Sequence, residues 1–132
     1  MSATILIAED HASSLELMRY LLTAHGYRAI GAGDGEAALE LARRERPDLV
    51  ICDLQMPQVD GYEVVRRLRA DPQLRHTPII AVTAFSMQGD RERVLTTGFD
   101  GYFSKPIEPE SFVRQMETFL PPRLRASRTR GG

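Results

Sequence analysis

The chain has 132 residues, 42% of them apolar and 27% charged, with a net charge of −1; that suits one domain with one core and excludes a molecule drawn as a whole to nucleic acid or an anionic membrane. A single cysteine, Cys52, excludes an internal disulfide framework and fits a reducing cytoplasm. No apolar stretch approaches the ~20 residues that span a bilayer, and the N-terminus MSATILIAED meets acids too early for a signal peptide.

In chain order, Ile5-Leu6-Ile7-Ala8 is the first of three short runs that do not alternate with polar residues. Such runs predict parallel strands covered on both faces. Leu15, Met18 and Leu22 then recur at helical spacing up to His25-Gly26, where a helix can end. A weaker strand fits Tyr27 to Ala32, and Gly31-Ala32-Gly33-Asp34-Gly35 reads as a turn, because its glycine spacing lacks the third glycine of a dinucleotide fingerprint. Gly35 to Glu45, rich in Ala, Leu and Glu, predicts a second helix stopped by Pro47.

Leu49-Val50-Ile51-Cys52 is the second strong strand and Val64, Val65 and Leu68 mark a third helix closed at Asp71-Pro72. Ile79-Ile80-Ala81-Val82 is the third strong run, followed by a short polar helix over Asp90 to Thr97 with Gly98 as its stop. A second weak strand fits Gly101 to Ser104, and Phe112, Met116, Phe119 and Leu120 form the stripe of a last helix before Pro121-Pro122. Five strands alternating with five helices predict a doubly wound α/β sheet over residues 1–120. Residues 121–132, PPRLRASRTRGG, carry four arginines and no acid. This basic tail is expected to be disordered, and four charges without aromatics give weak contact with nucleic acid at best.

In open α/β sheets, sites form beyond the carboxyl ends of the strands. There the sequence sets Glu9-Asp10 after the first strand, Asp53 after the third, Thr83 after the fourth and Lys105-Pro106 after the fifth. Each alone has a plain reading: Asp53 as a turn residue, Thr83 as a strand-end hydroxyl, Lys105 as a surface lysine, His11 as a residue flanking the first helix, Cys52 as core. Together they are three carboxylates, a hydroxyl and an ammonium on one rim. Two carboxylates ~4 Å apart at an effective dielectric of ~20 repel by about 4 kcal/mol, so the cluster calls for a cation. Hard oxygen donors favour Mg²⁺ over zinc. A carboxylate nucleophile, a metal, a hydroxyl donor and a cation are the parts of a phosphoryl-transfer site.

Glu9-Asp10, Asp53 within DLQMPQVDG, Thr83-Ala84 and Lys105-Pro106 resemble the receiver domain of two-component response regulators, a CheY-like fold, over residues 4–120. The stretch AVTAFSMQGDRERV is especially similar to DivK-type regulators, which consist of a receiver alone. The resemblance implies a flavodoxin-like five-stranded parallel sheet of order 2-1-3-4-5. It implies Asp53 as phosphoacceptor and Asp10 as direct Mg²⁺ ligand, with Glu9 acting mainly through metal-bound water and the backbone carbonyl of Gln55 as a further ligand. Thr83 is implied as the switch hydroxyl, Tyr102 as the aromatic switch residue, and Lys105 as the phosphoryl-binding cation before a cis proline. Phe85 would border the path of the attacking water, and its bulk would prolong the phosphorylated state.

The partners implied are a sensor histidine kinase or phosphotransfer protein and a downstream protein target, with a homodimer through the fourth helix, fifth strand and fifth helix as a further option. The chain would be a stand-alone regulator, a phosphorelay intermediate or a receiver cut from a larger protein, self-phosphorylating and not acting on a separate substrate. Three alternatives stand beside this. A phosphatase of the haloacid-dehalogenase type also uses a strand-end Asp and Mg²⁺, but wants an acid where Gln55 stands. A flavin module shares the fold class, but Glu9-Asp10-His11 would repel its phosphate. A receiver could also bind its partner without phosphorylation.

Overall fold

The computed structural model describes residues 3–84 and 88–126, with the side chains of 88–90 left aside. Phe85 lies outside the described residues, as does the tail beyond Ala126. Five strands, β1 (Thr4–Ala8), β2 (Arg28–Ala32), β3 (Leu49–Asp53), β4 (Ile79–Thr83) and β5 (Gly101–Ser104), alternate with helices α1 (Ala12–Ala24), α2 (Gly35–Glu45), α3 (Gly61–Ala70), α4 (Gln88–Thr97) and α5 (Pro109–Glu117). All strand pairs are parallel and the sheet order is β2-β1-β3-β4-β5. The chain reverses direction across the sheet between β1 and β3, so a crevice opens above their carboxyl ends.

The apolar runs are continuous because helices cover both faces. Leu6, Ala8, Val50, Cys52, Ile79 and Ala81 face α2, α3 and α4, packing on Leu39, Ala42, Val65, Leu68 and Val94. Ile5, Ile7, Leu49, Ile51, Ile80 and Val82 face α1 and α5, packing on Met18, Leu22, Phe112 and Met116. Each fully buried Ile or Leu of this kind contributes about 1.5–3 kcal/mol of hydrophobic stabilisation before entropy is counted. Cys52 is a core residue whose thiol burial pushes its pKa up, away from reactivity.

Local signals hold the element ends. Asp34 caps α2 by accepting a hydrogen bond from the Ala37 amide at 2.8 Å, so Gly33 and Asp34 are the turn into this helix, while Gly31 and Ala32, expected in that turn, end β2. Asp60 caps α3 through the Glu63 amide at 3.0 Å. Gly98 ends α4 at φ +132°, a conformation open to glycine.

Three boundaries differ from expectation. Tyr27 is a buried residue before β2 and not its first member. Helix α4 starts at Gln88, two residues early. Helix α5 stops at Glu117, and Phe119 and Leu120 continue its stripe from a turn closed by their amides on Met116 and Glu117. The expectation of disorder from Pro121 does not hold for the first part of the tail. Pro122–Leu124 form a 3-10 turn, and Leu124 and Ala126 pack against the α1–α5 core. The Ala126 amide donates to Tyr27 Oη at 2.9 Å and Arg125 Nε to the Leu120 carbonyl at 3.0 Å. Leucine and alanine among the arginines supplied enough apolar surface to dock.

Candidate functional site

Strand parity and register build the site. Ile7, Ile51 and Phe103 face the α1–α5 side. Two residues on, Glu9, Asp53 and Lys105 keep that parity where the sheet ends. Ala8 pairs with Cys52 and Thr83 with Ser104, so these residues stand level along one rim. Thr83 shares the opposite parity with Ala81, and Ala81 pairs with Tyr102. Thr83 is buried at the end of β4, and Tyr102 is half-buried against the α2–α4 core.

The structure brings Glu9, Asp53 and Lys105 into contact. Lys105 Nζ donates to Glu9 Oε2 at 3.2 Å and to Asp53 Oδ2 at 3.3 Å. The Gln55 amide donates to Asp53 Oδ1 at 3.1 Å; its carbonyl, singled out in the sequence, belongs to the same turn. The opening amides of the next segment also pin Asp53: Leu54 N donates to the Val82 carbonyl, and Gly61 N to the Leu54 carbonyl. The peptide bond between Lys105 and Pro106 is cis, as the resemblance implied.

Electrostatics set the site apart from an ordinary surface cluster. Glu9 is 0% exposed and Asp53 4%. Burial, then the Asp53 carboxyl beside it, pushes the Glu9 pKa above the usual carboxylate value, although the His11 amide and Lys105 work against this. Burial disfavours the Lys105 charge, but Glu9 and Asp53 outweigh it and hold the ammonium above its ordinary pKa. Glu9 Oε1 lies 3.0 Å from Lys105 Nζ, yet it is buried and accepts no hydrogen bond among the described residues.

That orphaned oxygen, together with the Asp10 and Asp53 carboxylates, tests the fit of a metal ion. One ammonium faces three carboxylates, and all the acidic donors are hard oxygens. Donors of this kind fit Mg²⁺; Asp10, Asp53 and the Gln55 carbonyl are the groups that would hold it, with Glu9 behind them. His11, read from the sequence as flanking the first helix with a ligand role as the lesser option, stands beside these acids. Its Nδ1 lies 3.8 Å from Asp10 Oδ1 and 3.9 Å from Glu9 Oε2. Its place directly after the acid pair was the signal, and the helix-flanking reading is correct as far as it goes: His11 is the N-cap of α1.

A rim of this kind on a 2-1-3-4-5 sheet defines a receiver. The response regulator receiver domain family matches residues 5–117, and the chain belongs to that family. It is 44% identical to polar-differentiation response regulator DivK of Brucella anthropi over 120 residues, 91% of this chain and 98% of that protein. It is 43% identical to DivK of Brucella ovis over the same shares. Among solved structures it superposes on the chemotaxis protein CheY4 of Vibrio cholerae with a TM-score of 0.87, at 29% identity over 91% of this chain and 100% of that one. It superposes on the receiver domain of sensor histidine kinase PA1611 from Pseudomonas aeruginosa with a TM-score of 0.82, at 34% identity over 90% and 98% of the two chains. That structure holds a magnesium ion coordinated in its active-site cleft. Receivers of this family are signalling domains of two-component systems and not substrate-converting enzymes. Among the described residues no helix is long and apolar enough to cross a membrane.

Proposed function

We propose that this receiver accepts a phosphoryl group on Asp53 in a Mg²⁺-dependent reaction, from the phosphohistidine of a sensor kinase or phosphotransfer protein. The observation that carries the proposal is Asp53 itself: buried, at the very end of β3, with Oδ1 held by the Gln55 amide and Oδ2 facing Lys105. An Asp53 carboxylate oxygen attacks phosphorus, the new P–O bond forms as the P–N bond breaks, and imidazole leaves with its electron pair. Lys105 is already within 3.3 Å of the acceptor and pairs with the incoming phosphoryl charge. A bound Mg²⁺ supplies neutralisation of phosphoryl oxygens at the same cleft. The fixed amide of Gln55 and the burial of Asp53 orient the nucleophile in advance, so little is reorganised at the moment of transfer.

Phosphorylation would then draw the Thr83 hydroxyl toward the new charge and let Tyr102, paired in register two residues behind it, change its packing. The surface that reads this is α4–β5–α5, toward a downstream protein or a second copy. Leu95, an exposed apolar residue on α4, lies on this surface. Position 55, where a haloacid-dehalogenase phosphatase wants its second acid, is an exposed glutamine.

Incubation with acetyl phosphate and Mg²⁺, followed by intact mass, tests the proposal. The expected result is a gain of one phosphoryl mass, lost without Mg²⁺ and lost in Asp53→Asn. Normal uptake by Asp53→Asn would overturn the assignment. No uptake by the native chain would leave a receiver that binds its partner without phosphorylation.

A further inference from the structure

We propose that His11 is an additional protein donor at the metal cleft, so that this site takes borderline divalent cations such as Co²⁺ more tightly than its carboxylates alone would allow. The inference rests on the site reading above and concerns which ion that site selects.

Three observations carry it. The Glu9, Asp10 and His11 ligand atoms all lie within 4.8 Å of one another. The His11 Nδ1 separations of 3.8 and 3.9 Å fall between the ~3.0 Å of neighbouring ligands and the ~4.2 Å of opposite ligands around an ion with ~2.1 Å bonds. Second, the His11 backbone is already fixed at the cleft. Its amide donates to Glu9 Oε2 at 3.1 Å, and its carbonyl accepts the Leu15 amide at 3.0 Å in the first turn of α1. Its side chain is nevertheless 74% exposed, so only the ring has to settle when an ion arrives. Third, Glu9 Oε1 is fully buried and accepts no hydrogen bond among the described residues. The Lys105 ammonium stands 3.0 Å away but is shared with Glu9 Oε2 and Asp53, so this oxygen has capacity left for a second cation.

The chemistry follows from donor type. Mg²⁺ gains little from imidazole nitrogen, because it prefers hard oxygen and retains its waters. Affinity at mixed nitrogen and oxygen sites rises along the first transition row, and imidazole suits the later ions. His11 therefore shifts the balance toward Co²⁺ and leaves Mg²⁺ binding nearly unchanged. In a cell rich in Mg²⁺ the same residue would make the receiver responsive to transition-metal supply.

The test uses the whole chain at about pH 8, where imidazole is neutral. Co²⁺ and Mg²⁺ affinities are measured by calorimetry for the native chain, His11→Ala and His11→Asn. Asparagine is a good N-cap, so the second variant keeps the start of α1 intact. The expected result is a loss of about tenfold or more in Co²⁺ affinity in both variants, with Mg²⁺ affinity changed less than about twofold. In the native chain, Co²⁺ should shift or broaden the His11 ring resonances, with His25 and His76 as internal controls. Equal Co²⁺ affinity in all three chains, or unperturbed His11 resonances, would overturn the proposal. A parallel fall in Mg²⁺ affinity would do so too, since it would mean that His11 only shapes the acid pair. Acetyl phosphate with Mg²⁺ on the native chain and on Asp53→Asn tests the phosphoacceptor reading on its own, so failure of that reading is distinguishable from failure of the His11 proposal.

Discussion

Lys105 and Asp53 stand at the ends of two strands that have β4 between them, and Lys105 Nζ still reaches Asp53 Oδ2 at 3.3 Å. The long side chain crosses over the end of β4 and reaches the buried Glu9 as well. Lys105→Met removes the one ammonium that pairs with Glu9 and Asp53 among the described residues. In metal-free buffer we expect the variant to lose about 1–3 kcal/mol of unfolding free energy, because two buried carboxylates lose their counter-charge. Saturating Mg²⁺ should recover part of that loss by binding the folded state alone. Urea unfolding with and without Mg²⁺ checks both. An unchanged midpoint in metal-free buffer would show that the ammonium adds nothing to stability.

Gly61 opens α3 against the backbone of Asp53 and Leu54. A Cβ there would lie 2.5 Å from the Asp53 carbonyl oxygen and 2.8 Å from Leu54 Cα, both backbone atoms. Neither can swing aside as a side chain would. Gly61→Ala is expected to cost about 1–3 kcal/mol and to slow phosphoryl uptake by displacing the end of β3. Thermal unfolding and acetyl phosphate kinetics on one preparation check this pair of effects together.

Tyr27 donates its hydroxyl hydrogen to the buried carboxylate of Glu117 on α5 and accepts the amide of Ala126 at 2.9 Å. Tyr27→Phe should destabilise the fold by about 1–2 kcal/mol and release residues 121–126, seen as faster amide exchange at Ala126. The pH dependence has a defined sign. Burial, then the Glu117 carboxylate, raises the Tyr27 pKa above its ordinary 10.0. The contribution is complete below 10.0 and is lost as pH rises above it, because the unfolded tyrosine ionises while the folded one resists. The stability gap between native and Tyr27→Phe chains should therefore narrow between about pH 8 and about pH 11. A constant gap would contradict the assignment.

Arg69 ties the end of α3 to two loops. Its guanidinium donates to the carbonyls of Gly98, Arg75 and Thr77 at 3.0, 2.8 and 2.7 Å and to Asp100 Oδ2 at 2.8 Å. Asp100 Oδ2 also accepts the Ile79 amide at 2.8 Å, at the start of β4. Arg69→Ala is expected to lose about 2–4 kcal/mol, and Arg69→Lys to recover little of it, since an ammonium lacks the planar fork that serves four acceptors. Urea midpoints of the two variants decide the point, and rescue by lysine would mean that charge alone matters.

The sequence by itself determined the fold class and the candidates that gather at the strand ends. β1, β3 and β4 were legible because strands buried on both faces need no alternation, so their apolar runs are continuous. Glu9, Asp53, Thr83 and Lys105 were legible because each follows such a run, and polar groups at the ends of buried strands stand out against apolar neighbours. Only the tertiary structure decided which of them touch. The reach of Lys105 across β4, the seat of Tyr27 between Glu117 and Ala126, the four acceptors of Arg69 and the docking of residues 121–126 all join segments far apart in the chain. Local periodicity reports which face a residue turns to the core. It carries no information on which distant residue will stand opposite, because strand order, register and helix packing set that jointly through contacts no single segment contains.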